Sequence, residues 1–235
     1  MQDYSKKSQV VVLAGGFGTR LKSVLNGKPK PLADVNGKPF LYYILKNWVD
    51  KGYTEFVFSL FFESNQIITF LEKEKADLLI NCKITCLVEP EALGTGGAIS
   101  YLNSKNALKD TFIVINADTW VEKNFEKIDN YNNNVIGLVQ VEDTQRYGTV
   151  ELDNNNIIKN FSEKSFVKMK GLINSGVYKL EKILFDEWNG SAYSLEKELL
   201  PKLVNSKSLS GLFLDSNIID IGVPEDYYKF CSLNK

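Results

Sequence analysis

The sequence predicts an α/β protein built on a mostly parallel, doubly wound sheet with flanking helices. Three observations predict it. Strand-like apolar runs alternate with helix-periodic segments up to about residue 120. A glycine-rich loop directly follows the first of these runs. The chain of 235 residues, 44% hydrophobic and 24% charged, suits one large core in a single domain.

Taken in order, "QVVVLA" is the first strand, followed by the loop and then the helical stretch "KPFLYYILKNWVDKG". In that stretch Leu41, Ile44, Leu45, Trp48 and Val49 recur at three and four residues and stop at Gly52. "TEFVFSL" reads as a strand, "SNQIITFLEKEK" as a helix with Ser64 as its N-cap, and "KITCLVE" as a strand. A helix is expected over residues 96–102, and "TFIVIN" closes the alternation as a strand. The middle of the chain changes character. "NVIGLVQVE", "YGTVELD", "NIIKNFSEK" and "GLINSGVYKL" read as antiparallel or mixed strands extending the sheet, with "DNYNNNV" and "DNNNI" as hairpin-like turns. "SLEKELLPKLV" returns to helix, "GLFLD" and "NIID" to strand, and "PEDYYKFCSL" to a terminal helix with Pro224 at its start.

Composition removes several chemistries. The chain has no histidine, which excludes Ser-His-Asp and Cys-His hydrolysis and His-ligated zinc. Cys82, Cys86 and Cys231 are too few and too irregular for a disulfide framework. A formal charge of −1 argues against a broad nucleic-acid surface. No apolar run approaches the ~20 residues of a membrane span, and "MQDYSKKSQ" lacks a signal-peptide core. A cytoplasmic protein without membrane or nucleic-acid partners is the expectation.

The loop "LAGGFGTRL" places glycine at 15, 16 and 18 and an arginine at 20. It is neither G-x-G-x-x-G, which needs glycine at Leu21, nor a P-loop, which needs "GK[ST]". Ten residues on, Lys30 stands between prolines in "KPKPL". A phosphate cradle and a glycine-rich turn with solvated basic residues both account for these letters. Asp118 closes "TFIVINAD" at the carboxyl edge where open α/β sheets bind ligands, and Asp220 closes "NIID" in the same way. Either alone would serve equally as a helix cap or a turn aspartate.

Eight collinear blocks carry a resemblance: "LAGGFGTRL", "KPKPLADVNGKPFL", "EPEALGTGGA", "NADT", "YGTV", "FSEK", "INSGVYKL" and "DIGVPEDYYK". Together they resemble the signature of the sugar-1-phosphate nucleotidyltransferases. That resemblance implies a Rossmann-like, mixed, mainly parallel central sheet flanked by helices, the nucleotide-diphospho-sugar transferase fold. It divides residues 1–235 into a nucleotide-binding half, about 8–120, and a sugar-phosphate-binding half, about 121–235.

The resemblance also implies site residues. Leu13, Gly15, Gly16, Gly18, Thr19 and Arg20, with Glu89, Gly94 and Thr95, would bind the nucleotide. Backbone amides of the loop would cradle its phosphates, and Arg20 would neutralise the departing pyrophosphate. Lys30, Gly148, Glu163, Lys164, Asn174, Gly176 and Glu196 would bind the sugar phosphate, although a glutamate on a helix surface is a common alternative for Glu196. Asp118 and Asp220 would jointly hold Mg2+. Arg20, Lys30, Asp118 and Asp220 are the catalytic set.

The implied reaction is attack by a sugar 1-phosphate oxygen on the α-phosphorus of a nucleoside triphosphate, which needs no general base. Uridylyl and thymidylyl members usually carry glutamine where this chain has Glu89. A carboxylate there complements the two adjacent donors of guanine and favours GTP, the alternative being a surface glutamate beside a proline turn. The stretch "RLKSVLNGKPKPLADVNGKPFL" resembles the D-glycero-α-D-manno-heptose 1-phosphate guanylyltransferase subgroup, which makes GDP-heptose for bacterial surface polysaccharides, and Val223 is a small departure from the family pattern. GDP-mannose or UDP/dTDP-sugar synthesis, and a non-catalytic nucleotide-sugar-binding regulator, are the competing readings. Arg20, Lys30, Asp118, Lys164 and Asp220 are all present, which favours an enzyme. The resemblance also admits a homodimer.

Overall fold

A computed structural model describes residues 7–25, 27–162 and 168–234. From the N-terminus the chain forms β1 (Gln9–Leu13), α1 (Lys22–Leu25), the hairpin of β2 (Asp34–Val35) and β3 (Lys38–Pro39), and α2 (Phe40–Asp50). It continues with β4 (Glu55–Leu60), α3 (Ser64–Glu74), β5 (Lys83–Val88), α4 (Gly94–Ser104), β6 (Thr111–Asn116) and β7 (Thr119–Val121). Then follow β8 (Val135–Val141), β9 (Thr149–Leu152), β10 (Ile158–Ser162), β11 (Gly171–Glu181), α5 (Leu200–Asn205), β12 (Ser210–Phe213), β13 (Ile218–Asp220) and α6 (Pro224–Leu233).

Among the described residues nine strands form the central sheet, with the path β10-β9-β11-β6-β1-β4-β5 and with β8 and β12 joined beside β11. The pairs β6·β1, β1·β4 and β4·β5 are parallel, and β11 runs antiparallel to β6, β8 and β9. The mixed sheet expected from the sequence therefore forms. Its parallel part is apolar on both faces because both are covered. Val10, Val12, Phe56, Phe58, Ile113 and Ile115 enter one core, while Val11, Val57, Phe112 and Val114, one residue out of phase, enter the other.

Several local expectations change in the structure. Ser64 is not an N-cap: Glu63, in the left-handed region at φ 51°, occupies that position, and no side chain caps the helix. The helix expected over 96–102 extends from Gly94 to Ser104. Its first amides are satisfied from far along the chain, since the Tyr193 carbonyl accepts from Gly96 N at 3.0 Å and Gly97 N at 3.2 Å. "DNYNNNV" is no hairpin turn; it joins a 3-10 turn, Phe125–Asn130, to β8. Asn134 is held there by the Glu181 amide and carboxylate, a partner no local pattern reveals. "DNNNI" does connect the antiparallel pair β9·β10, and Asp153 Oδ1 accepts from the amides of Asn155 and Ile157.

Two departures from regularity position the site. β13 leaves the central sheet and pairs antiparallel with β7, setting Asp220 opposite Thr119. "SLEKELLPKLV" is not one regular helix: Leu195–Leu199 form a π-helical turn before α5, with the Ser194 hydroxyl accepting from Lys197 N. Such turns recur at functional sites.

Candidate active site

Three adjoining cavities open where β1 and β6 end. The first is lined by Leu13, Gly16, Gly18, Thr19, Arg20, Lys30 and Asp118. The second shares Leu13, Gly16 and Asp118 and adds Gly15, Phe17, Glu89, Gly94, Thr95 and Asn116. The third, a wide cleft of about 980 Å³, is lined by Arg20, Asn116, Arg146, Tyr147, Gly148, Asn174, Gly176, Tyr178, Glu196 and Asp220. All site residues expected from the sequence line these cavities, except Glu163 and Lys164, which lie outside the described residues.

At the junction stands Lys30. Its Nζ lies 2.7 Å from Asp118 Oδ2 and 3.3 Å from Asp220 Oδ1. Pro29 and Pro31 fix the chain on both sides, and the lysine is only 8% exposed. Gly18 is needed beneath it: with φ at 61°, a Cβ there would come 3.1 Å from Lys30 Cβ. Each carboxylate has a second tether, Thr119 Oγ1 to Asp118 Oδ1 at 3.0 Å and the Gly222 amide to Asp220 Oδ1 at 2.7 Å. Asp118 does not close β6, as the sequence suggested, but lies in the turn between β6 and β7, and the pairing of β13 with β7 brings it and the strand-end Asp220 together on one ammonium.

Hard oxygen donors of this kind fit a divalent ion such as Mg2+, with phosphate and water completing the shell. Among the described residues no cluster of three or more His, Cys, Asp or Glu side chains supplies further ligands. A metal held here by two carboxylates would take its remaining oxygens from water or phosphate.

Glu89 is no surface glutamate. It is 6% exposed, its Oε1 accepts from Ser59 Oγ at 2.9 Å, and its Oε2 accepts from the Leu93 amide at 3.2 Å. Burial pushes its carboxyl above the ordinary range, and those two hydrogen bonds oppose the shift. The carboxylate is oriented, yet each oxygen keeps a lone pair for the cavity it lines.

Glu196 is not on a free helix surface either. Its Oε2 accepts from Thr95 Oγ1 at 2.6 Å and Ser194 Oγ at 3.0 Å, and its Oε1 accepts from Tyr178 Oη at 3.3 Å. Tyr178 Oη in turn accepts from Asn174 Nδ2 at 2.7 Å. Burial drives the Tyr178 phenol well above its ordinary pKa, so it remains a donor. Thr95 lines its cavity with the hydroxyl already engaged, donating to Glu196 and accepting from Leu195 N at 2.8 Å. The Asn174–Gly176 turn interrupts the register of β11 against β8, and Gly176 N donates to Asn174 Oδ1.

Sequence reasoning missed Phe17, Asn116, Arg146, Tyr147 and Tyr178 as cavity residues. Arg146 and Tyr147 directly precede Gly148, so their place beside a site glycine was the available signal. Tyr178 lies in the block "INSGVYKL", but nothing local assigned it a role, because that role depends on where Glu196 folds. Arg146 is tied to the first turn of α6, 2.6 Å from Asp226.

The family description "Nucleotidyl transferase" matches residues 9–233. The chain is 37% identical over 224 residues to a D-glycero-alpha-D-manno-heptose 1-phosphate guanylyltransferase of Campylobacter jejuni, covering 94% of this chain and 98% of that protein. It is 34% identical to a protein of the same name from Aneurinibacillus thermoaerophilus, over 94% of this chain and 96% of that one. The crystal structure of HddC from Yersinia pseudotuberculosis complexed with GMP-PN superposes with a TM-score of 0.83 at 37% identity, covering 97% of this chain and all of that one.

Proposed function

Since the chain belongs to the nucleotidyl transferase family, we propose that it transfers GMP from GTP to D-glycero-α-D-manno-heptose 1-phosphate, giving GDP-heptose and pyrophosphate. The observation that carries this reading is the junction of the cavities. The glycine loop, Arg20, Lys30, Asp118 and Asp220 converge where a nucleotide in the second cavity would meet a sugar phosphate in the third. The guanine and heptose assignments are supported by the relatives' names and by the buried, oriented Glu89.

In this mechanism the loop amides from Leu13 to Gly18 receive the triphosphate, and the Arg20 guanidinium balances charge on the β- and γ-phosphates. Glu89 accepts from N1–H and N2–H of guanine. Asn174, Gly148, Gly176 and Glu196 line the sugar's side, with Glu163 and Lys164 assigned by resemblance to its hydroxyls and phosphate. An ionised 1-phosphate oxygen forms the new bond to the α-phosphorus as the bond to the bridging oxygen of pyrophosphate breaks. No side chain removes a proton, which suits a chain without histidine. Asp118 and Asp220 would hold Mg2+, which supplies charge neutralisation on phosphate oxygens. Lys30 adds an ammonium at the same point. Residues of about 8–120 serve the nucleotide and those of about 121–235 mainly the sugar phosphate, within one domain. No helix among the described residues is long and apolar enough to cross a membrane, and we assign the activity to the cytoplasm, where nucleoside triphosphates are available.

The test is pyrophosphate release with GTP, UTP, dTTP, ATP and CTP against heptose, mannose and glucose 1-phosphates, with Mg2+ present. Turnover with GTP and heptose 1-phosphate is expected to exceed every other pair. Faster turnover with UTP or dTTP would overturn the role given to Glu89, and no turnover with any pair would leave a binding protein.

A further inference from the structure

Lys30 is held where it stands more firmly than an ordinary lysine. Its backbone is fixed by two prolines, its stem packs against Gly18 and Leu25 lies beside the same glycine. Its ammonium touches both carboxylates proposed for the metal, and both carboxylates are anchored by other donors. A Mg2+ ion bound to the two aspartates requires oxygens at about 2.0–2.1 Å. An ammonium already 2.7 Å from one of those oxygens would then face a divalent cation a few ångströms away in a partly dry site, where like-charge repulsion is strong. Like-charge repulsion then disfavours placing both cations on the same carboxylate oxygens.

Resting on the reading that Asp118 and Asp220 take the metal, we propose that Lys30 is a built-in placeholder for it. In the free protein the ammonium keeps the two carboxylates together and holds back a divalent cation. A triphosphate supplies new acceptors for the ammonium in the cavity lined by Gly16, Gly18 and Arg20. The lysine then exchanges carboxylate oxygens for phosphate oxygens, and the cation enters with the nucleotide. The aspartates are thereby preorganised without being left as an unpaired anionic couple, a costly state for groups only about one third exposed, at 36% and 28%. In this role Lys30 acts through the carboxylates as a positioning residue.

The experiment measures Mn2+ binding to the full chain by electron paramagnetic resonance, with and without a non-hydrolysable GTP analogue. Wild type is expected to bind Mn2+ weakly alone. Lys30→Met, which keeps the stem and removes the charge, is expected to bind it about tenfold tighter or more without nucleotide, while Lys30→Arg stays near wild type. A merely structural lysine would do the opposite, because losing it would loosen the site. If Lys30→Met does not fold, Lys30→Gln carries the same comparison. Unchanged or weaker Mn2+ binding in a folded neutral variant overturns the proposal. Asp118→Asn separates the two readings. If the variant's complex with the GTP analogue binds Mn2+ as tightly as the wild-type complex does, the metal site itself is wrong; if that binding is abolished while neutral Lys30 variants bind no tighter, only the placeholder role fails.

Discussion

The Thr95 hydroxyl donates a 2.6 Å hydrogen bond to Glu196, joining the first turn of α4 to the π-helical turn before α5 across 101 residues of chain. The same carboxylate accepts from Tyr178, which holds Asn174. One side chain therefore links the wall of the cavity proposed for the nucleotide to the wall of the cleft proposed for the sugar.

Replacing Glu196 tests that link. Glu196→Ala leaves Thr95 and Tyr178 without their acceptor, and kcat/KM for the sugar phosphate is expected to fall about 10- to 100-fold. Dissociation of GTP, measured by calorimetry without the sugar, should change much less.

Glu89 predicts a pH effect. Its carboxyl titrates above the ordinary glutamate range, so on acidification it takes up a proton earlier than an exposed glutamate and loses one acceptor for guanine. KM for GTP should rise as pH falls, beginning above the pH at which a normal glutamate titrates. Glu89→Gln should lower kcat/KM for GTP about 100-fold and remove that acid limb, since a missing hydrogen-bond partner in a buried site is discriminated strongly.

Asp118→Asn and Asp220→Asn should each reduce kcat by orders of magnitude with little change in the circular dichroism spectrum. Near wild-type turnover in either variant removes that residue from the metal pair.

Gly96 has a packing reason that can be measured. A Cβ there would clash with the Tyr193 ring, which also approaches Ser100 through its hydroxyl at 2.8 Å. Gly96→Ala should cost about 1–3 kcal/mol of overpacking in chemical denaturation and loosen the segment that carries Glu196.

Away from the site, the Lys179 ammonium donates to the Asp129 carbonyl at 2.7 Å and to its Oδ1 at 3.3 Å, and the Ser8 hydroxyl donates to the same carboxylate. Burial alone would raise the Asp129 carboxyl; the Ser8 bonds and the Lys179 charge outweigh it and hold it below the usual range. The sign follows: this stability is present above the carboxyl's unfolded pKa and is lost as pH falls through the lower folded value. Lys179→Met should cost about 3 kcal/mol, and Asp129→Asn should flatten the acid side of the stability profile while leaving turnover intact.

Much of the site was readable in the chain because its signals are local. Glycines at 15, 16 and 18, the rigid "PKP" and the place of Asp118 just after the apolar run of β6 each act through adjacent backbone. Ser64 misled because it looked like a cap, while the left-handed Glu63 decided the start of α3. The Asn-rich "DNYNNNV" misled because turn composition does not say whether a strand precedes it. For Glu89 and Glu196 the residue type was legible but the burial was not.

By itself the sequence determined the alternation of strand and helix, since hydrophobic period is set residue by residue, and it determined the identity of the charged groups at the strand ends. Only the tertiary structure decided that Asp220 faces Thr119 in a separate two-stranded sheet, that both aspartates meet on Lys30, and that the Tyr193 carbonyl receives the first amides of α4. Those contacts join residues 88 to 190 positions apart, and no local preference encodes them. They depend on how the strands and loops pack around both faces of one sheet, which brings together polar groups from distant parts of the chain.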